Sequence, residues 1–137
     1  MTESTKIEFR YRHMSQVRDL LDLAGILFPG NRSQQHAAAC ILSELKWTNG
    51  IVPNLAYMEG RYRLSRRTLQ RVRAKLARLG LIEHVSRFNA RYGGQEGWQL
   101  SGRFSGGLRQ LAEMADRWRQ DRGGDQREKE AALLGLP

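Results

Sequence analysis

An amphipathic stretch without a single acidic residue runs through the middle of the chain, between Glu59 and Glu83. Apolar residues recur in it at spacings of 3, 4 and 3, which is the period of one helical face. Residues 61–78 also hold eight basic side chains. Such a helix packs on a core by its apolar stripe and presents positive charge elsewhere, which favours a polyanionic partner. The stripe residues are Leu69, Val72, Leu76 and Leu79.

The chain as a whole is basic. Its 137 residues include 23 Lys and Arg against 14 Asp and Glu, a formal net charge of +9. The length fits one compact domain, and the charge favours DNA, RNA or an anionic membrane surface. No apolar run approaches the roughly 20 residues that span a bilayer, and residues 1–10 lack the apolar segment of a secretory signal. We therefore expect a cytoplasmic protein without a membrane partner.

Metal, cofactor and catalytic signatures are weak. Cys40 is the only cysteine, so an intrachain disulfide is excluded and a reducing compartment is expected. His36 stands four residues before it, but two ligands do not complete a zinc site. We expect a small buried thiol, no metal and no cofactor. The sequence has no nucleophile–base pair, phosphate-cradling glycine loop or carboxylate cluster, and we predict that the chain is not an enzyme.

Hydrophobic periodicity divides the chain into an N-terminal arm (1–14), a folded domain (15–120) and a flexible charged tail (121–137). In the arm, the apolar residues Ile7, Phe9 and Tyr11 alternate with polar ones. This alternation predicts either a short strand or a segment docked on the core. Ser15, Ser33 and Ser65 are the expected N-caps of the first, second and fourth helices. The five predicted helices are 15–28, 33–49, 55–59, 65–79 and 105–120.

The period then changes to that of β-strands. Residues 81–88 and 97–100 predict a hairpin, and the glycine-rich segment 89–96 predicts its tip. The order of helix, short helix, turn, helix and hairpin is the layout of a winged helix-turn-helix.

Local sequence supports that resemblance. The stretch Leu64-Ser65-Arg66-Arg67-Thr68-Leu69-Gln70-Arg71, followed by Lys75-Leu76, Leu79 and Gly80-Leu81-Ile82, is similar to the recognition helix and wing entry of that superfamily. Two features depart from it: the turn at 60–64 is about two residues longer than the common form, and Arg73 stands where a buried leucine is frequent. The resemblance covers residues 33–102. It implies a mainly α fold with a small β-hairpin (α+β), a recognition helix at 65–79, a wing at 81–101, and extra N- and C-terminal helices.

The predicted contact surface follows from helical geometry. At 100° per residue, the face opposite the apolar stripe holds Arg67, Gln70, Arg71, Ala74 and Arg78. Arg66, Arg73 and Lys75 flank this face. Arginine can bridge guanine and glutamine can bridge adenine in the major groove, and flanking cations would hold phosphates. Within the wing, residues 87–96 are expected to contact the DNA backbone or minor groove through Arg87 and Arg91. The alternative is that this segment is a plain hairpin loop without a DNA contact. The predicted contacts in and before the helix are Arg61, Arg63, Ser65, Arg66, Arg67, Thr68, Gln70, Arg71, Arg73, Ala74, Lys75 and Arg78.

These features predict a sequence-specific protein for double-stranded DNA, most simply a transcriptional regulator. The stretch Trp47-Thr48-Asn49-Gly50 before Leu55-Ala56 also looks similar to the winged-helix domains of phage and plasmid replication initiators, and partition proteins of mobile elements use the same domain. RNA binding is a third interpretation of the charge.

The helices outside the predicted reading unit raise the question of oligomeric state. Many winged-helix regulators use such helices to form a two-fold dimer on a palindromic site. We expect a homodimer through helices 15–28 and 105–120, a monomer with both helices packed on one core being the alternative. The tail, which ends in Ala131-Ala132-Leu133-Leu134, is expected to recruit a protein partner.

Overall fold

The computed structural model describes residues 5–89 and 93–137. Across these residues the chain forms seven helices and one two-stranded antiparallel sheet. The predicted fold class, mainly α with a small β-hairpin, is therefore confirmed. The elements are α1 (Tyr11–Met14), α2 (Leu20–Leu27), α3 (Arg32–Trp47), α4 (Met58–Arg61), α5 (Arg66–Leu79), β1 (Ile82–Asn89), β2 (Gly93–Leu100), α6 (Arg103–Gln120) and α7 (Gly124–Leu133).

The first described residues form a segment docked on the core rather than a strand. The backbone N–H of Glu8 donates to the carbonyl of Ile26 at 3.0 Å. The helix predicted over 15–28 begins five residues later, at Leu20. It starts there because the carboxylate of Asp19 accepts from the backbone N–H of Asp22 at 2.8 Å and caps it.

The core lies where α2, α3 and α5 meet. Ala37, Ala38 and Ala39 of α3 are buried, and their small side chains allow a neighbouring helix to approach closely. This helix is capped by Asn31, whose side chain accepts from the backbone N–H of Gln34 at 3.0 Å, and not by Ser33 as predicted. The buried side chains of α3 thus form part of the apolar surface on which α5 packs.

The hairpin is longer than predicted. Its register runs from Ile82 opposite Leu100 to Asn89 opposite Gly93, so half of the predicted tip belongs to β2. A further backbone pairing joins β2 to the segment before α4: Val52 and Trp98 exchange two N–H···O bonds of 2.9 and 2.8 Å. This pairing ties the base of the hairpin to the buried residue Val52.

The chain divides into two compact units, Met1–Phe104 and Ser105–Pro137. The second unit holds α7, in the segment predicted to be a flexible tail. The reason is composition: residues 126–133 are almost all strong helix formers, and propensity alone favours a helix there although no apolar stripe marks it. Among the described residues, no helix is long and apolar enough to cross a membrane.

Candidate nucleic-acid interface

Local capping fixes both ends of α5. The hydroxyl of Ser65 accepts from the backbone N–H of Thr68 at 3.1 Å and donates to its Oγ1 at 2.8 Å. At the other end Gly80 adopts a left-handed conformation with φ 89°, and its N–H donates to the carbonyls of Leu76 and Ala77. Both caps were predicted from the sequence and are confirmed.

The two faces of α5 differ sharply in environment. Leu69, Val72 and Leu76 are buried in the core, and Leu79 packs against it half-buried. On the opposite side five long polar side chains are exposed, with Ala74 half-buried among them. The exposed residues are Arg66, Arg67, Gln70, Arg71 and Arg78.

The exposed arginines at the start of α5 lack acidic neighbours. Within residues 5–89 and 93–137, Arg66, Arg67 and Arg71 take part in no ion pair. Their charge is therefore uncompensated, and the positive end of the helix macrodipole adds to it. This is the surface that the sequence predicted to read DNA.

Lys75 does not belong to that surface, contrary to the sequence prediction. Its side chain is buried, with 7% exposed. Its Nζ donates to the carbonyl oxygen of Lys6 at 2.7 Å and lies 4.6 Å from the ring centroid of Phe28. Burial, and then the charge of Arg78, lower the pKa of the Lys75 ammonium. Lys75 thus fastens the N-terminal arm to α5, and we remove it from the contact surface.

Arg73 links α5 to the hairpin. It is half-buried, and its guanidinium carbon lies 5.1 Å from the ring centroid of Trp98. His84, opposite Trp98 in the hairpin register, meets the same ring edge-on at 5.0 Å. A cation over an aromatic face replaces the apolar contact that a leucine would make here. This stacking explains why an arginine is accommodated at position 73.

A carboxylate on α3 organises the turn before α5. Glu44 accepts hydrogen bonds from the hydroxyls of Tyr57 at 2.9 Å and Tyr62 at 2.5 Å, and from Arg61 at 3.1 Å. The hydrogen bond from Tyr62 has the largest effect and lowers the pKa of Glu44; burial acts against it, and the Tyr57 hydrogen bond and the charge of Arg61 add smaller decreases, so the net shift is downward. Burial and the bond to Glu44 raise the pKa of Tyr57 to about 12.

Glu44 was not predicted as a functional residue, because no local sequence pattern identifies it. Its partners lie 13 to 18 residues away, so only the fold brings them together. The predicted contact residue Arg61 is consequently held by Glu44, although its side chain stays 61% exposed. We call Glu44, Tyr57, Arg61 and Tyr62 the Glu44 cluster.

Arg63 has the least ordinary backbone in this region. It is exposed, and among the described non-glycine residues it alone has a positive φ, 53°. This left-handed conformation is disfavoured for side chains with a Cβ. It allows the chain to turn sharply between α4 and the cap at Ser65, in the turn that the sequence shows to be long.

The hairpin tip is described only in part. Arg91 lies outside the described residues. Arg87 is placed by its backbone opposite Gln95, and its side chain also falls outside the description. Nearer the base, Nε2 of His84 lies 3.5 Å from Oε1 of Glu96. The predicted wing contacts therefore remain predictions.

Cys40 is buried, as predicted, and burial together with the charge of Glu44 raises the pKa of its thiol. Its sulfur lies 3.6 Å from Nε2 of His36. In the part of the chain that the structure describes, no three His, Cys, Asp or Glu side chains cluster in a way that could hold a metal ion.

Comparison with known proteins adds no relative to this picture. No protein-family model, curated protein or solved structure matches the chain.

Proposed function

We propose that this protein is a winged helix-turn-helix protein that binds double-stranded DNA sequence-specifically and inserts α5 into the major groove. The observation that carries the proposal is the exposed face of Arg67, Gln70 and Arg71, which is free of acidic residues and held rigidly from behind by buried aliphatic side chains. A cationic face built on a rigid helix meets the requirements for positioning groups against a groove.

The dimensions of α5 suit this docking. A helix about 10–12 Å across fits a major groove about 12 Å wide. From Arg67 to Ala74 the axis rises roughly 10 Å at 1.5 Å per residue, or about three base-pair steps. The arginines can bridge O6 and N7 of guanine, and Gln70 can bridge N6 and N7 of adenine. The half-buried Ala74 leaves room for close approach.

The remaining exposed cations flank this reading face. Arg66 and Arg78 lie on α5 and Arg63 precedes it. Contacts from such residues to phosphates fix the register of the protein without reading sequence. Thr68 is half-buried, and its Oγ1 accepts from Ser65, so we assign these two residues to capping and not to the bases.

DNA is favoured over RNA by groove shape. The major groove of A-form RNA is too deep and narrow for side chains to read, whereas the major groove of DNA is wide enough to admit a helix such as α5. Transcriptional regulation is the simplest process for such a protein. Replication initiation or partition on a mobile element is the alternative, and the position of the bound sites separates the two: promoters in one case, an origin or centromere-like repeat in the other.

Selection of bound duplexes from a random pool, followed by salt titration, tests the proposal. We expect a defined sequence, and a slope near −5 for log K against log salt if about six phosphates are contacted. Arg71→Ala should weaken the selected site by about 1–3 kcal/mol and relax one base position. Arg117→Ala, which removes an exposed cation from α6, is the matched control and should leave the selected sequence unchanged. Absence of a selected sequence, or tighter binding to structured RNA, would refute the proposal.

A further inference from the structure

Helix α6 presents an apolar stripe to solvent. Every residue from 107 to 120 is exposed, including Leu111 at 66% and Trp118 at 61%. Met114 lies beside the stripe and is 55% exposed. The stripe residues, all in the second unit, are Leu108, Leu111, Ala115 and Trp118.

A helix with this exposure needs a partner surface. Isolated helices shorter than about 12–15 residues are marginal in water even for favourable sequences, and the fully exposed part of α6, residues 107–120, is of about that length. Gly106 and Gly107 lower the helix propensity further. Most helix stability in proteins comes from packing an apolar face. The stripe is the surface on α6 that packing would stabilise.

The spacing of the stripe fits a helix as its partner. The intervals from Leu108 to Trp118 are 3, 4 and 3, which are those of the a and d positions of a coiled coil. Such a seam is filled by knobs from another helix with the same repeat, and an isologous pair uses the same patch on both copies. We propose that α6 pairs with α6 of a second copy of this chain.

Side-chain sizes favour the antiparallel arrangement. An antiparallel pair centred on residue 113 sets Leu111 against Ala115 of the second copy and Leu108 against Trp118, so each large side chain meets a smaller one. A parallel pair would set alanine against alanine and tryptophan against tryptophan, which leaves a gap at one level and crowding at another. The charged residues Arg109, Glu113 and Arg117 fall on the far side in both cases.

The area sets the strength of this dimer. Four partly exposed large side chains, Met114 included, offer roughly 400 Å² per copy, about half of the 800 Å² that each partner contributes to a standard interface. Because this area is at the low end for specific interfaces, we expect a weak dimer whose population depends on concentration. This inference does not depend on DNA binding.

Sedimentation equilibrium of the full chain from about 1 to 500 µM tests the pairing. The wild type should shift from the mass of one chain to twice that mass, whereas Leu111→Glu should stay monomeric over the whole range. Gln110→Glu adds the same charge one residue away, off the stripe, and should dimerise like the wild type. Leu111 lies outside the core cluster, so the thermal unfolding of the first unit should be the same in both variants. A wild type that stays monomeric, or a dimer that survives Leu111→Glu, overturns the proposal.

Disulfide cross-linking tests the orientation. A mixture of Leu111→Cys and Ala115→Cys chains should give mixed dimers, because the antiparallel pair brings these two positions together. Each variant alone should cross-link poorly. Efficient cross-linking of Leu111→Cys with itself would overturn the antiparallel arrangement. The native Cys40 is buried, so the engineered thiols are the exposed ones.

Discussion

The ammonium of Lys75 donates a hydrogen bond to the carbonyl oxygen of Lys6 at 2.7 Å, although the two residues are 69 positions apart. A charge is thereby buried against a backbone oxygen and an aromatic ring, and burial lowers its pKa. Because the folded-state pKa lies below the unfolded value, the unfolded chain binds this proton more tightly. Stability should therefore rise with pH between the lowered pKa and 10.5.

Lys75→Met tests this linkage. In urea unfolding between about pH 8 and 10, the free energy of unfolding should increase more with pH, or decrease less, for the wild type than for the variant. The comparison is needed because the buried Cys40 thiol, whose pKa is raised from 9.0, acts with the opposite sign in both proteins. Above that window Tyr57, whose pKa is raised to about 12, acts with the opposite sign. DNA affinity should stay within about twofold, or 0.4 kcal/mol, because the side chain is buried. A loss of affinity as large as that of Arg71→Ala would contradict the position assigned to Lys75.

The positive φ of Arg63 predicts a difference between two substitutions that remove the same charge. Arg63→Gly relieves the left-handed strain, whereas Arg63→Ala retains it. We expect the glycine variant to be more stable than the alanine variant by about 1 kcal/mol, measured by chemical denaturation. Both should lose DNA affinity equally if the arginine contacts a phosphate. Equal stabilities would argue that the turn relaxes without strain.

Gly97 is required by close packing. A Cβ at this position would lie 2.4 Å from both the carbonyl oxygen of Val52 and Cγ2 of Ile51. Gly97→Ala should push Val52 away from β2 and destabilise the protein by about 1–3 kcal/mol. Gly102→Ala is the control, since nothing lies within 4 Å of its added Cβ. Thermal unfolding should show a lower midpoint for the first variant and little change for the second.

The Glu44 cluster predicts acid sensitivity. The lowered pKa of Glu44 means that its contribution to stability is present above pH 4.5 and is lost as pH falls through the folded-state pKa. Glu44→Gln should cost about 1–2 kcal/mol at neutral pH and flatten the acid limb of the stability profile. Glu59→Gln removes an acidic charge from α4, two residues from both Tyr57 and Arg61, without removing the acceptor of the two tyrosines. Equal effects of both variants on stability would show that net charge, and not the cluster, is responsible.

Patterns confined to one element were predictable from the sequence. The apolar period of α5, the cap at Ser65 and the glycine at its end all depend on residues within a few positions of each other, and each is confirmed. The change of period after Gly80 likewise located the start of the hairpin. These features are local, so the sequence expresses them directly.

Features that depend on tertiary contacts were not predictable. Lys75 belongs by sequence to a cationic helix, but packing against Phe28 and the arm buries it. Glu44 meets its tyrosines only through the fold, because they lie 13 and 18 residues away in sequence. In both cases the partners are distant in sequence, so no local pattern identifies them.

The backbone pairing of Val52 with Trp98 also has a mechanical consequence. Force applied along β2 passes through two hydrogen bonds into a buried residue of the core. The stack of Arg73 on Trp98 gives a second route into α5. The base of the hairpin is therefore joined to both the core and α5, and we expect a displacement of the hairpin base to be transmitted to α5.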